Sequence, residues 1–126
     1  MTDMTHGRFR LEDVNGQPFR FEGRMLAHTS SELARKPRWT EVQIFQTIGG
    51  KYVVNLIGQT RLDGERIKER AHIADTAEDV IAVLFQEDPD TGNRYLTQVA
   101  RDAIEQAGDH SESIRRAWEG QVRHVA

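Results

Sequence analysis

The chain has 126 residues, 37% of them apolar, no cysteine and a formal net charge of −3, which suits one domain with one core. A chain of this size buries roughly two-thirds of its unfolded surface, and the missing cysteines exclude disulfide scaffolds, thiolate nucleophiles and cysteine zinc sites. The charge is uneven: residues 1–75 carry +2 and residues 76–126 carry −5, a polarity able to orient a partner or pair two subunits.

The opening Met1-Thr2-Asp3-Met4-Thr5-His6 is polar and lacks the apolar core of a signal peptide. The longest apolar run, Val80 to Phe85, is too short to cross a bilayer. A soluble cytoplasmic protein without membrane contact is the expectation.

From Arg8 to about Asp75 apolar and polar residues alternate, the signature of strands with one buried face. The first strand opens at Arg8-Phe9-Arg10-Leu11, turns at Asn15-Gly16 and returns through Phe19-Arg20-Phe21, with Met25 in register. Gly23 inside that strand predicts a bulge or a close approach of backbone. Thr29 with Glu32 three residues on fits a capping box, which predicts a short helical turn over Ser30 to Arg35, ended by Pro37.

The third strand runs from Trp39 to about Ile48, with Val42, Ile44 and Ile48 on one face and Trp39 and Phe45 on the other. Gly49-Gly50 leads into Lys51 to Ile57, whose nearly continuous apolar run reads as a central strand. After Asp63-Gly64, the stretch Arg66 to Ile73 reads as a charged edge strand. There Ile67, Ala71 and Ile73 are expected to face in, and Arg66, Lys68, Arg70 and His72 out.

Beyond Asp75 the apolar period lengthens to three or four residues, the spacing of helices that bury one stripe. Asp75 and Thr76 cap a helix with Val80, Ile81, Leu84 and Phe85 inward. A loop at Glu87 to Gly92 follows, then a helix lined by Leu96, Val99, Ala100, Ala103, Ile104 and Ala107 and closed at Gly108. Ser111 or Ser113 caps a last helix whose stripe is Ile114, Ala117, Trp118, Val122 and Val125. The expected fold is therefore α+β and a single domain. Residues 1–75 form an antiparallel meander of about five strands, and residues 76–126 form two or three helices packed on one face.

Chemistry is sparsely signalled. The five histidines, at 6, 28, 72, 110 and 124, share no metal-ligand spacing, and there is no His-Glu-x-x-His motif. Glu87-Asp88-Pro89-Asp90-Thr91-Gly92-Asn93 alternates oxygen ligands but lacks the distal glutamate of a calcium loop. No serine lies in a Gly-x-Ser-x-Gly elbow, and Gly49-Gly50-Lys51 lacks the rest of a phosphate loop. Neither a metal, a cofactor nor a catalytic residue is expected; an enzyme would need acid–base groups assembled only in space.

Two surfaces stand out. The loop carrying Arg35, Lys36, Arg38 and Trp39 places three cations beside an aromatic, a set able to grip an acidic partner or a phosphate. The interleaved carboxylates of Glu32 and Glu41 deny it a uniform positive stripe. The last helix, through Ile114, Trp118 and Val122, either covers the fold or offers a homodimer surface.

The stretches Phe21-Glu22-Gly23-Arg24-Met25-Leu26-Ala27, Thr40 to Thr47 and Gly50-Lys51-Tyr52-Val53-Val54 resemble the sheet region of the bacterial EXLDI-type proteins. The family's C-terminal Glu-x-Leu-Asp-Ile signature does not occur here, and no functional residue carries over. The resemblance implies a bacterial accessory protein. Taken together, the expected function is non-catalytic protein–protein binding, as an inhibitor or regulator of a host system encoded by a bacterium, phage or mobile element. A nucleic-acid-binding regulator using residues 35–39 is the alternative, and an unrecognised enzyme the third.

Overall fold

Three glycine turns govern the first half of the chain. Gly16, Gly50 and Gly64 adopt φ of 78°, 88° and 84°, which a side chain would resist, and each lies at a reversal between strands. In the computed structural model, which describes residues 6–121, they help join β1 (His6–Glu12), β2 (Pro18–Ser30), β3 (Arg38–Thr47), β4 (Tyr52–Thr60) and β5 (Lys68–Ala74). The sheet order is β1-β2-β3-β4-β5, every neighbour antiparallel. Three helices follow: α1 (Ala77–Leu84), α2 (Gln98–Gly108) and α3 (Glu112–Glu119). The α+β expectation holds. No helix among the described residues is long and apolar enough to cross a membrane.

The sheet is curled. Five is an odd number, so in a meander β1 and β5 run the same way, and a parallel bridge from Asp13 to Ala71 brings them together. β2 makes this possible by serving two partners in turn. Residues Pro18 to Arg24 pair with β1, and Gly23 to Ser30 pair with β3. The β1–β2 hairpin thus folds over one half of a sheet face. Under it Phe45, Val53 and Ala71 are buried with Phe9, Leu11, Phe19, Phe21 and Met25 packed against them. Phe9 and Phe45 stand 4.7 Å apart and Phe21 and Phe45 5.3 Å apart, centroid to centroid, within favourable aromatic range.

The opposite face carries the larger core. Leu26, Ala27, Val42, Ile44, Val54 and Ala74 of the sheet meet Val80, Ile81, Leu84, Ala103, Ile104 and Ile114 of the helices. α2 lies on β2 and β3, α1 on β4 and β5, and α3 on α1 and α2. Each helix opens with a hydroxyl cap: Thr76, Thr97 and Ser111 accept from the backbone N–H of Asp79, Ala100 and Ile114.

Two expectations need correction, and two are made more definite. The bulge lies at Leu26, between Met25 and Ala27, and not at Gly23. There the extra residue lets both Leu26 and Ala27 face the helices. Gly23 instead serves the close approach: a Cβ there would stand 2.1 Å from the Gln46 carbonyl oxygen.

The helical turn over Ser30 to Arg35 is absent. β2 runs through Ser30, which pairs with Glu41, and Thr29 donates through Oγ1 to the Val99 carbonyl at 2.8 Å. A lone turn carries the full cost of nucleation, while the ladder takes Thr29 and Ser30 and Arg61 holds Glu32 and the Leu33 carbonyl.

On β5, Ala71 and Ala74 are buried, but Ile73 is 56% exposed and Ile67, just before the strand, is 57% exposed, against the inward expectation. The bridge from β1 falls at Ala71, so Ile73 lies beyond the closure. The expected loop at Glu87–Gly92 is present as the turn of a small hairpin between β6 (Gln86–Glu87) and β7 (Arg94–Tyr95), closed by Gly92 N–H to the Asp88 carbonyl at 2.8 Å.

Candidate functional site

In a meander, alternate turns lie at the same end of the sheet. The segment 31–37 between β2 and β3 and the segment 61–67 between β4 and β5 therefore meet, and a cleft of about 590 Å³ opens beside them. Lys36, Arg38 and Trp39 line it from one side, Glu65, Arg66 and Lys68 from the other. Arg35 is exposed and outside that lining.

Arg61 organises the first segment. Its guanidinium donates to the Leu33 carbonyl at 2.6 Å and the Lys36 carbonyl at 3.0 Å, and pairs with Glu32 at 2.9 Å. It also lies 4.5 Å from the Trp39 ring centroid, a cation–π distance. One cation thus fixes both the loop and the aromatic. Trp39 in turn donates through Nε1 to Glu41 at 2.9 Å, and His28 Nε2 meets the same carboxylate at 2.9 Å. Burial pushes the Glu41 carboxyl up, but hydrogen bonds from His28 and Trp39 outweigh it and hold the group below its ordinary range.

Arg38 and Glu65 form a bidentate pair, Nε to Oε1 at 2.9 Å and Nη2 to Oε2, the geometry that suits a planar guanidinium and a carboxylate. Thr60 adds a donor to Glu65 Oε1 at 2.7 Å. The hydrogen bond from Arg38, then that from Thr60, lowers the Glu65 carboxyl to about 2. Its folded value lies below the unfolded one, so the pair's contribution is complete above the ordinary value of 4.5 and is lost as pH falls through about 2. A carbon-detected titration of the Glu65 carboxyl is expected to show a midpoint near 2. In Glu65→Gln the matching dependence of stability between those values should vanish. A Glu65 midpoint near 4.5 would mean that the pair is open in solution.

With Arg38 neutralised, Lys36, Arg66 and Lys68 remain without an ion pair among the described residues. The cleft thus presents surplus positive charge on a frame already ordered, which lowers the entropy cost of binding.

On the sheet face that the β1–β2 hairpin partly covers, Asn55 is fully buried and donates to Gln43 Oε1 at 3.0 Å and Glu69 Oε1 at 2.7 Å. Its own carbonyl oxygen has no partner, and being closed to solvent it offers nothing to a ligand. No three His, Asp or Glu side chains among the described residues are grouped to hold a metal.

The second surface proposed from the sequence is placed differently. Ile114 is 0% exposed and belongs to the main core, with Trp118 packed against it; Val122 lies outside the described residues. Ile114 is thus a core residue of one chain, because α3 turns this stripe toward α1 and α2, and it offers no surface to a second copy. The basic loop was legible from its composition. Arg61, Glu65, Arg66 and Lys68 were not assigned to it, although the same-end rule for alternate turns was available to join them. Comparison of the chain with protein-family models, with curated proteins and with solved structures finds no match.

Proposed function

We propose that this chain is a non-catalytic binding protein whose cleft between residues 31–37 and 61–67 takes an acidic segment of another protein. The observation that carries the reading is the lining of the cleft, in which Lys36, Arg38, Arg66 and Lys68 face a single carboxylate, Glu65. A protein partner is favoured over a nucleic acid by Trp39. Arg61 lies over its ring and Glu41 holds its Nε1, so it is committed to the loop and poorly placed to stack on a base. The resemblance to a bacterial accessory family supports a bacterial or phage setting, and the role we assign there is that of a regulator or inhibitor of a host system.

The test uses Lys36→Glu, Arg66→Glu and Lys68→Glu together and leaves the Arg38–Glu65 pair intact. Anisotropy of a labelled glutamate-rich peptide is measured beside a single-stranded oligonucleotide of equal charge. The peptide is expected to bind the wild type and to lose at least about tenfold in affinity in the variant, since each charge-assisted hydrogen bond is worth about 1.5–3 kcal/mol. The circular dichroism spectrum should not change. Retention of the peptide by the variant would remove the cleft as the site, and a preference for the oligonucleotide would replace the protein partner.

A further inference from the structure

The register of the sheet sets out its helix-covered face in rows. Arg38 pairs with Thr60. Next come Thr40, Gly58 and Lys68, then Val42, Leu56 and Arg70, then Ile44, Val54 and His72. Residues directly opposite share a face, so these rows climb one surface in order. Ile44 and Val54 are fully buried beneath the helices. One row out, Leu56 is only part-buried, and Thr40 in the row beyond is exposed. The helical cover therefore stops at the level of Val42 and Leu56.

At that margin a wedge of about 670 Å³ opens between sheet and helices. Its apolar wall is made by Val42, Leu56, Val83, Leu84 and Ala100. Lys68 and Arg70 border it on this face. Glu12 and Glu69 reach it from the other side, Glu69 being held by Asn55. Thr40, Gly58 and Lys68 line both this wedge and the basic cleft. The two are one continuous trough, basic at its outer end and apolar where it meets the helices.

We infer that the acidic segment bound by this protein carries an apolar anchor beside its acidic residues, and that the anchor occupies the wedge. The inference rests on the cleft being the acidic-segment site proposed above. Rows on one strand face are two residues, roughly 7 Å, apart. An extended peptide with the same period sends residues i and i+2 to one side. An acidic residue at the level of Lys68 thus places a leucine or phenylalanine two positions away against Leu56 and Val83, and one at the level of Arg38 places it four positions away. Gly58 keeps the junction open, since it contributes no side chain between the cleft and the wedge.

Two labelled peptides test this on the full chain, one of glutamate, serine and glycine, the other identical except for a leucine two residues from a glutamate. The leucine peptide is expected to bind about ten to a hundred times more tightly, the range set by burying one leucine side chain. Gly58→Leu supplies the second arm. A Cβ at Gly58 meets nothing closer than 3.7 Å, from Lys68, so the variant is expected to fold with its junction filled. The ratio of the two affinities, which cancels any effect common to both peptides, should then fall to near one.

Equal binding of both peptides by the wild type overturns the anchor and leaves the acidic-segment reading standing. Failure of both to bind removes that reading and the anchor with it. Displacement of both by an unlabelled oligonucleotide at lower concentration than by free peptide also overturns the anchor, because a phosphate backbone has no apolar side chain to offer the wedge.

Discussion

Val54→Asp is expected to unfold the protein, with a loss of stability exceeding about 4 kcal/mol, because an unpaired carboxylate in an apolar core has no means of recovering its hydration. Val54 is 0% exposed in β4, an interior strand between β3 and β5, beneath the helices and beside Ile44. His72 lies directly across on β5 and is the obvious counter-charge. In the wild type, burial, and then Arg70, lowers its pKa below the ordinary value of 6.5, so charging it to meet the new carboxylate would carry that burial cost and offset only part of the loss. Leu56→Asp, two residues along the same face, should cost less, since Leu56 borders the wedge and water can reach the new carboxylate. Thermal melts of both variants, followed by circular dichroism, make the comparison. A native melting temperature for Val54→Asp would show that the core does not close over β4 as described.

Gly23→Ala is expected to be the most damaging loss-free substitution, one that only adds a methyl group. The new Cβ would stand 2.1 Å from the Gln46 carbonyl oxygen and 2.9 Å from the Thr47 Cα. Both obstacles are backbone, so neither can rotate away, and the β2–β3 ladder must open at the residue where β2 passes from one partner to the other. Overpacking of this kind costs about 1–3 kcal/mol and more where backbone must move; we expect the upper end. Gly58→Ala is the internal control. Its nearest neighbour is 3.7 Å away, and adding a side chain there restrains the unfolded chain, so its melting temperature should equal or exceed that of the wild type. Urea midpoints for the pair, at equal m-value, would measure the difference; similar midpoints would mean that β2 and β3 are further apart than the register places them.

These two glycines show how far local reading reaches. Gly23 inside an alternating run signals either a bulge or a close approach, and both readings fit the same residue. Deciding between them requires knowing which carbonyl lies opposite. The bulge itself, at Leu26, has no local mark, because Met25-Leu26-Ala27 is an ordinary apolar run whose extra residue matters only when β3 is paired against it. The same holds for Thr29 and Glu32. The capping-box spacing was present, but the ladder took Thr29 and Arg61 took Glu32.

The basic loop was the part of the candidate site written in composition, as a cluster of Arg35, Lys36 and Arg38 beside Trp39. Its use is less legible. Arg38 is spent on Glu65 and Trp39 is held by Arg61 and Glu41, while Lys68, read as protection for an edge strand, lines both the cleft and the wedge.

By itself the sequence determined what depends on neighbours along the chain: the order of the five sheet strands and three helices, the glycine turns with positive φ, the hydroxyl caps of α1 and α3, and the apolar stripes of the helices, that of α3 as far as its described residues reach. These follow from backbone conformation and from periods of two and 3.6 residues, which a few consecutive residues suffice to encode. Tertiary structure alone decided the curl that folds β1 and β2 over Phe45, the exposure of Ile67 and Ile73, the choice between cover and free surface for the Ile114 stripe and the joining of two distant turns into one trough. Each of these is set by which surfaces meet across the fold, and a strand's alternation names its two faces without saying what will come to lie on either.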